Sequence, residues 1–282
     1  MAAGSPCMNP STIVPGIGLV AAMLLSAGDV ATANTLRMGG IGAATMLLPD
    51  LFETFEGSRT VKLKVIPSLG SSGGLRALTD GVLDVAVSGR LLTEQERAAG
   101  LKVVLSIRTP FVLVTSHPQP NGLRGSEIAD IFKSLKPTWE DGSPIRIILR
   151  PRSDSDTAAL GGMFPGMAAA IEIARQRPDI PVAATDQDNA DLAERVPSSL
   201  SASTLTQIIA ERRALRVVAI DGIEPSLEAL ENGSYPYAKT LDFIISPRMS
   251  PHAEAFIAFL RSSTGQAVMH QPSAHWKQVY GE

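Results

Sequence analysis

The sequence predicts an α/β protein of two lobes, each built on a mixed sheet with helices on both faces. Strand-like and helix-like hydrophobic patterns alternate along most of the chain, which is typical of sheets covered by helices. Loops rich in glycine and serine follow several of the predicted strands. The length of 282 residues and the hydrophobic fraction of 44% are sufficient for two cores.

The first 33 residues are interpreted as a signal peptide. An apolar run covers residues 13–27, and Ala-Thr-Ala at residues 31–33 fits the small-x-small pattern of a cleavage site. No Lys or Arg precedes the run, which departs from the usual signal. We expect cleavage before Asn34 and an exported protein, periplasmic or secreted. The run is too short and too interrupted by proline and glycine to predict a membrane span.

The first predicted lobe, residues 34–112 and 243–282, begins with strands that each lead into a helix or turn. Apolar residues alternate with lysines between Val61 and Val65, which is typical of a half-buried strand. Pro110 separates two β-rich runs and is expected to interrupt them, because proline cannot donate to a strand ladder. The predicted elements are strands at residues 35–39, 61–67, 84–88, 103–107 and 111–115, and helices at residues 46–55 and 75–80.

The second predicted lobe, residues 113–242, continues the same alternation. We expect the chain to cross between the lobes near residues 111–115 and 240–245, with the ligand cleft between them. The predicted helices lie at residues 125–135, 188–195, 203–211 and 252–262, with one long helix that ends near residue 177. The predicted strands lie at residues 145–149, 181–184, 216–220 and 240–245.

Composition excludes several classes of site. The formal net charge is −3 and no basic patch is present, so nucleic acid is not an expected partner. Cys7 is the single cysteine, which excludes an internal disulfide and a cysteine-rich metal site. The four histidines lack the spacing of metal ligands, and we predict neither a metal nor a cofactor.

Three predicted strands end in loops that open helices, at residues 42–45, 70–74 and 153–157. The first turn of a helix leaves backbone N–H groups unpaired, and the helix dipole adds partial positive charge there. Hydroxyl groups add donors, and glycine lets the backbone approach a ligand closely. Any one of these loops also fits an ordinary helix cap. Because ligands of open α/β sheets bind at the carboxyl ends of strands, we predict that the three loops together hold a small anion.

These loops also carry motifs of a known family. Residues 42–45 read Gly-Ala-Ala-Thr, similar to a family Gly-x-x-Thr, and residues 70–73 read Gly-Ser-Ser-Gly as the family does. Residues 155–157, after an arginine, are similar to its Ser-Gly-Thr. The chain thus resembles the phosphate-binding subunits of ABC importers, which are type II periplasmic binding proteins. The resemblance covers nearly all of the chain after Asn34 and includes closing segments at residues 221–225, 233–236 and 256–265.

The resemblance implies a monomeric, non-catalytic protein that binds a small inorganic oxyanion, with phosphate first, and delivers it to the membrane permease of an ABC importer. Arg150 and Arg152 both remain candidates for the full positive charge, since neither has the family spacing to the serine. Arg150 is preferred because it follows its strand directly. The implied ligand-binding residues are Ala44, Thr45, Met46, Ser71, Ser72, Gly89, Arg150, Arg152, Ser155, Asp156 and Thr157.

Two departures from the family pattern bear on the choice of anion. The ligand-contacting aspartate of the family falls at Gly89, so the acceptor for the proton of hydrogen phosphate is missing. The glycine of Ser-Gly-Thr is replaced by Asp156, which brings a carboxylate to the same loop. We therefore expect a selectivity that differs from that of ordinary phosphate binders.

Other function classes are weaker alternatives. Residues 70–74 match the Gly-x-Ser-x-Gly elbow of α/β-hydrolases, with Ser72 as nucleophile and His270 or His275 as its base. We reject this hypothesis because that elbow follows a central strand, and only two strands precede it here. A phosphate-handling enzyme would need metal ligands or a base, for which Asp154 and Asp156 are the candidates. A scavenger or sensor of another oxyanion or a small organic anion stays open.

Overall fold

The computed structural model describes residues 34–44, 47–269 and 277–279. The predicted signal peptide, Thr45, Met46, His270 and His275 lie outside these residues. The strands are β1 (Thr35–Gly40), β2 (Lys62–Ile66), β3 (Val85–Ser88), β4 (Lys102–Thr115), β5 (Arg146–Ile147), β6 (Ser199–Thr204), β7 (Arg216–Val217), β8 (Ala238–Ile245) and β9 (Lys277–Val279).

The helices begin in most cases directly after a strand or a short loop. They are α1 (Leu47–Glu53), α2 (Gly70–Thr79), α3 (Glu94–Ala98), α4 (Gly125–Lys133), α5 (Ser155–Met163), α6 (Met167–Arg175), α7 (Asp186–Arg195), α8 (Leu205–Ala210), α9 (Leu227–Glu231), α10 (Pro251–Arg261) and α11 (Ser263–Met269). Short 3-10 turns lie at Gly42–Ala44 and Glu56–Arg59. Among the described residues, no helix combines the length and hydrophobicity that a membrane crossing needs.

The strands form a mixed sheet in the order β2-β1-β3-β8-β4-β6-β5, and β7 and β9 also pair with β4. β1 pairs in parallel with β2 and β3, and β5 pairs in parallel with β6. β8 runs antiparallel to both β3 and β4, and β6 runs antiparallel to β4. The predicted α/β class with mixed strand directions is confirmed.

β4 changes partner along its length. Residues 102–110 pair with β8, and residues 111–114 pair with β6. The prediction that Pro110 interrupts this strand is wrong. Pro110 lies at the end of the ladder with β8, and the next backbone bond runs from Phe111 N to Tyr237 O at 3.0 Å. The N–H that proline lacks therefore falls where the strand changes partner and costs the ladder little.

Hydrophobic side chains form separate clusters on the two sides of this change of partner. Leu105 and Ile107 join one cluster with α1 and α10, whereas Phe111 joins another with α4 and α6. On β3, Val87 faces the first cluster, and Ala86 faces a third cluster beneath α2. Helices therefore pack on both faces of the sheet, as predicted. The boundaries of the two lobes stay a prediction.

Several elements differ from the prediction. The long helix ending near residue 177 is two helices, α5 and α6, because Pro165 and Gly166 separate them and Gly166 adopts φ 75°. The helix predicted from residue 203 begins at Leu205, because Thr204 caps it by accepting from Gln207 N at 3.2 Å. The residues before it form β6, a small and serine-rich strand that hydrophobic patterning did not reveal.

Other strands are shorter than predicted. The strand expected at residues 181–184 is a single bridge between Leu149 and Val182, and the strand expected at residues 145–149 is limited to β5. Conversely, the glycine-rich segment at residues 70–74 is already helical and forms the first turn of α2. This extension matters for function, because it places serine side chains at the positive end of a helix.

Candidate functional site

The three predicted loops lie around one cavity of about 170 Å³. Each loop follows the carboxyl end of a strand or of its continuation, so all three loops reach the same end of the sheet. A fourth segment, which the sequence reasoning did not include, completes the wall just before and at the start of α7. The lining residues are Gly42, Ser68, Leu69, Gly70, Ser71, Ser72, Gly73, Arg150, Pro151, Ser153, Asp154, Ser155, Ala184, Thr185 and Asp186.

The first loop turns sharply after β1 and brings backbone to the cavity. Gly42 lines it, and Ala44 is buried without lining it. A Cβ on Gly42 would lie 2.7 Å from Asp186 Oδ2, so only glycine permits this approach. Ala43 N donates to the same Asp186 oxygen at 3.0 Å. A carboxylate of the protein thus occupies one N–H group of the loop. The predicted contacts of Thr45 and Met46 lie outside the described residues.

The second loop places Ser71 inside the cavity and Ser72 at its rim. Ser71 is 7% exposed, and its Oγ accepts from Gly89 N at 2.9 Å and donates to Ser155 Oγ at 3.5 Å. Ser72 is exposed, and its Oγ accepts from Arg90 Nε at 3.1 Å. The hydroxyl of Ser71 is therefore the better placed of the two to contact a ligand.

The third loop sends its predicted residues in different directions. Ser155 lines the cavity at the first position of α5, where Asp154 caps the helix by accepting from Asp156 N at 2.8 Å. Thr157 Oγ1 donates back to Pro151 O at 2.8 Å and does not line the cavity. Asp156 is buried behind the wall. Of the three predicted residues, Ser155 is the one that reaches the cavity.

Arg150 is the buried positive charge of the cavity wall, with a side chain 5% exposed. Its Nη2 donates to Asp154 Oδ2 at 2.7 Å and to Asp186 Oδ1 at 2.8 Å, and its Nη1 donates to Ala183 O at 2.8 Å. Its Nε is buried and has no hydrogen-bond partner among the described residues. A buried N–H left unpaired is costly, so this donor is suited to a ligand.

Arg152 lies outside the cavity. Its side chain is 69% exposed and forms an ion pair with Glu172 on α6. The structure therefore separates the two arginines that the sequence left open. Arg150 lines the cavity and Arg152 does not.

Two charged residues near the cavity were not predicted. Asp186 opens α7, and burial raises the pKa of its carboxyl, which Arg150 opposes. Lys239 lies on β8 and is 2% exposed. It shares an inward face with Leu241 and Phe243 on the strand. A lysine at an inward-facing strand position could have been identified from the sequence as a candidate site residue, because lysine is almost never fully buried without a partner.

Lys239 connects the third loop to the position of the missing family aspartate. Its Nζ forms a close ion pair with Asp156 and donates to Ser155 Oγ at 3.0 Å. Burial lowers the pKa of Lys239 to about 7, which Asp154 opposes and Arg150 reinforces. A Cβ on Gly89 would lie 2.5 Å from Lys239 Cε. The lysine thus fills the space that a side chain at position 89 would need.

Carboxylates from Asp154, Asp156 and Asp186 lie within 4.8 Å of one another. Two basic side chains lie among these carboxylates. Arg150 contacts Asp154 and Asp186, and Lys239 contacts Asp156. The three acids form ion pairs within the protein, and we assign no metal site to them.

The geometry does not fit the hydrolase hypothesis. The Gly-Ser-Ser-Gly segment follows β2, which is the edge strand of the sheet rather than a central one. His117 pairs with Asp141 and lines a separate groove of about 940 Å³, to which none of the predicted ligand residues contributes. His270 and His275 lie outside the described residues.

Comparisons with known proteins agree with this fold. The family model described as a PBP superfamily domain matches residues 26–264. No curated protein matches the chain. A solved structure from Clostridium perfringens, described as a phosphate ABC transporter substrate-binding protein with bound phosphate, is 19% identical; the alignment covers 88% of this chain and 100% of that one, with a TM-score of 0.68.

Two further structures show how widely the fold is shared. An ABC-type phosphate transport receptor from Vibrio cholerae is 16% identical over 83% of this chain and 96% of its own, with a TM-score of 0.57. The reduced form of OxyR from N. meningitidis is 11% identical over 88% of this chain and 100% of its own, with a TM-score of 0.59. Such low identities establish the fold and leave the ligand to be argued from the site. The chain belongs to the PBP superfamily and has the fold of the type II periplasmic binding proteins.

Proposed function

We propose that this protein captures a small oxyanion in the cavity, with phosphate as the first ligand to test, and that it serves an ABC importer as an exported solute-binding protein. The anion would contact the Ser71 and Ser155 hydroxyls and the Arg150 guanidinium. Its binding free energy would favour a closed arrangement of the loops that surround it.

The observation that carries the proposal is the unpaired Nε of Arg150. This donor is buried in the wall of a cavity that two helix N-termini, α2 and α5, also approach. The positive ends of helices and a buried guanidinium both favour an anion. A relative from Clostridium perfringens described as containing bound phosphate supports the same class of ligand.

Isothermal titration calorimetry of the full chain against phosphate, sulfate, molybdate and tungstate tests the proposal. We expect saturable binding of at least one of these anions. Arg150→Lys keeps the charge but removes the fork and the Nε donor, and should weaken binding by about tenfold or more. Arg152→Lys is the matched control and should leave affinity unchanged, because Arg152 lies at the surface.

Two outcomes contradict the proposal. One is the absence of binding for every anion tested, with the chain shown to be folded by circular dichroism. The other is an equal effect of Arg150→Lys and Arg152→Lys on affinity. The import role has its own test, since an importer needs a permease and an ATPase, and their genes should be neighbours of this one.

A further inference from the structure

Asp186 is a carboxylate of the protein that lies where donors of the cavity wall converge. Its Oδ1 accepts from Arg150 Nη2 at 2.8 Å, and its Oδ2 accepts from Ala43 N at 3.0 Å. The residue is 5% exposed and lines the cavity together with Gly42 and Arg150. Backbone N–H groups and a guanidinium are donors that proteins use to bind anions. Asp186 thus occupies donors that would otherwise be available to a ligand.

The charged side chains of this wall have an excess of negative charge. Arg150 contacts two carboxylates, those of Asp154 and Asp186, and it is the one basic side chain among the described residues that line the cavity. Lys239 does not line the cavity and forms an ion pair with Asp156. Two carboxylates therefore share one guanidinium, and the second carboxylate repels an incoming anion over a short distance.

The two carboxylates that line the cavity differ in what else they do. Asp154 is the cap of α5, because its Oδ1 accepts from Asp156 N at 2.8 Å. Asp186 is the first residue of α7, and the cap of that helix is Thr185, which accepts from Asp188 N at 3.0 Å. The helix therefore does not use the carboxylate of Asp186 as its cap. That carboxylate contacts the guanidinium and the first loop instead.

The first loop has a second contact with α7 that does not involve this carboxylate. Gln187 Nε2 donates to Gly42 O at 3.3 Å, and the same amide donates to Glu211 Oε1 at 3.0 Å. The loop approaches closely because Gly42 has no side chain, since a Cβ there would lie 2.8 Å from Asp186 Cβ. We therefore expect a change that removes only the charge of Asp186 to leave the loop, with Ala43 N, beside the cavity.

We propose that Asp186 limits the affinity of the cavity for anions, because its carboxylate holds donors of the wall and adds a negative charge beside the ligand. This inference rests on the proposed function. Removing the carboxylate releases Ala43 N and an N–H of the Arg150 guanidinium, and it lowers the repulsion that an anion meets. Substituting a residue of a binding cavity ordinarily weakens binding. A gain of affinity is therefore a signature that a purely structural Asp186 would not produce.

Calorimetry of the full chain with phosphate and with sulfate tests this inference, at about pH 8, where a carboxyl of ordinary pKa is ionised. Asp186→Asn removes the charge and nearly preserves the shape, and it should tighten the binding of both anions by about tenfold or more. Asp186→Ser removes the same charge with a smaller side chain and should also give a gain. Asp188→Asn is the matched control. It removes an exposed carboxylate from the same helix, whose Oδ2 accepts from Thr185 N, and affinity should stay within about twofold of wild type.

The outcomes separate this inference from the proposed function, with the fold of each variant checked by circular dichroism. If the folded Asp186 variants bind both anions no more tightly than wild type, the inference is overturned and oxyanion capture stays intact. An equal gain in Asp188→Asn also overturns it, because the effect would then come from the general charge of α7. If wild type binds neither anion and Asp186→Asn binds one, the proposed function fails and the inference is supported. Binding of neither anion by wild type or by any variant overturns both.

Discussion

The two sides of the cavity differ in where their charged groups lie. On the side of Arg150 and Asp186, buried charges contact one another directly, and Asp186 also takes the N–H of Ala43. On the side of Ser71 and Ser155, the groups that face the cavity are neutral hydroxyls, and the charge of Lys239 lies behind them. Apart from the Nε of Arg150, the hydrogen-bond donors of the first side are paired within the protein, so the remaining hydrogen bonds to a ligand must come from the second side.

Because of this difference, we expect the residues that stabilise the fold to differ from the residues that bind the ligand. Removing one partner from a buried ion pair leaves a charge without compensation, which is strongly destabilising. Removing a hydroxyl that points into a cavity costs the fold little and the ligand a hydrogen bond. Variants on the two sides should therefore separate the free energy of unfolding from the free energy of binding.

The largest expected effect is on the Arg150 side. Arg150→Ala leaves the buried Asp186 and the partly buried Asp154 without their shared cation, and we expect a loss of about 3–5 kcal/mol in the free energy of unfolding. Urea denaturation followed by circular dichroism measures it. Arg152→Ala removes an exposed arginine of the same loop and should leave the denaturation midpoint nearly unchanged. A similar shift for both variants would contradict the contrast between the two sides.

The next effect tests the charge behind the serines. Lys239→Met strands Asp156 in the interior and should cost about 3 kcal/mol of unfolding free energy. Adding Asp156→Asn removes the stranded charge, so the double variant should recover about half of that loss or more. The double-mutant cycle measures the interaction free energy between Lys239 and Asp156. Additive losses would show that Lys239 and Asp156 do not act together.

How far the sequence could lead depends on where each residue lies in the chain. Ser71, Ser155 and Arg150 follow strands or open helices, and this local rule is sufficient to predict that they lie at one end of the sheet. Asp186 and Lys239 reach the same place from 36 residues after Arg150 and 84 residues after Ser155. No local pattern encodes such a contact, so these partners became visible only in three dimensions.

The two arginines show a different limit. They are two residues apart in an irregular loop, where neither strand nor helix periodicity says which side chain points inward. In the structure the side chain of Arg150 points inward and contacts Asp154 and the buried Asp186, whereas the side chain of Arg152 contacts the exposed Glu172. Likewise, Gly89 and Asp156 depart from the family pattern in the sequence itself, but Lys239, which lies beside both positions, is on a distant strand.

A third prediction concerns pH. Burial lowers the pKa of Lys239 to about 7, so its ammonium is present below that pH and lost above it. The affinity for sulfate, which stays fully ionised, should therefore fall as the pH rises through 7, by at most about tenfold per unit. The charged groups near the ammonium are Asp154, Asp156 and Arg150. Calorimetry in steps of pH measures the effect.

The control for this profile is Lys239→Arg, whose guanidinium does not lose its proton in this range. Its affinity for sulfate should be flat across neutral pH. Asp186 also needs a control, since burial raises the pKa of its carboxyl and its ionisation would weaken anion binding in the same direction. A slope that persists in Lys239→Arg but disappears in Asp186→Asn would assign the profile to Asp186 instead.

The smallest expected effect compares two neighbouring serines. Ser71→Ala removes a hydroxyl that is fixed by Gly89 N and directed at the cavity, so affinity for the anion should fall about fivefold to tenfold. Ser72→Ala removes an exposed hydroxyl whose oxygen accepts a hydrogen bond from Arg90, and affinity should stay within about twofold of wild type. Neither change should move the thermal midpoint by more than a few degrees.

Because the residues are adjacent at the start of α2, any general effect of weakening that helix would appear in both. A loss confined to Ser71→Ala would place the anion on the hydroxyl side, and a larger loss in Ser72→Ala would move the ligand to the rim of the cavity.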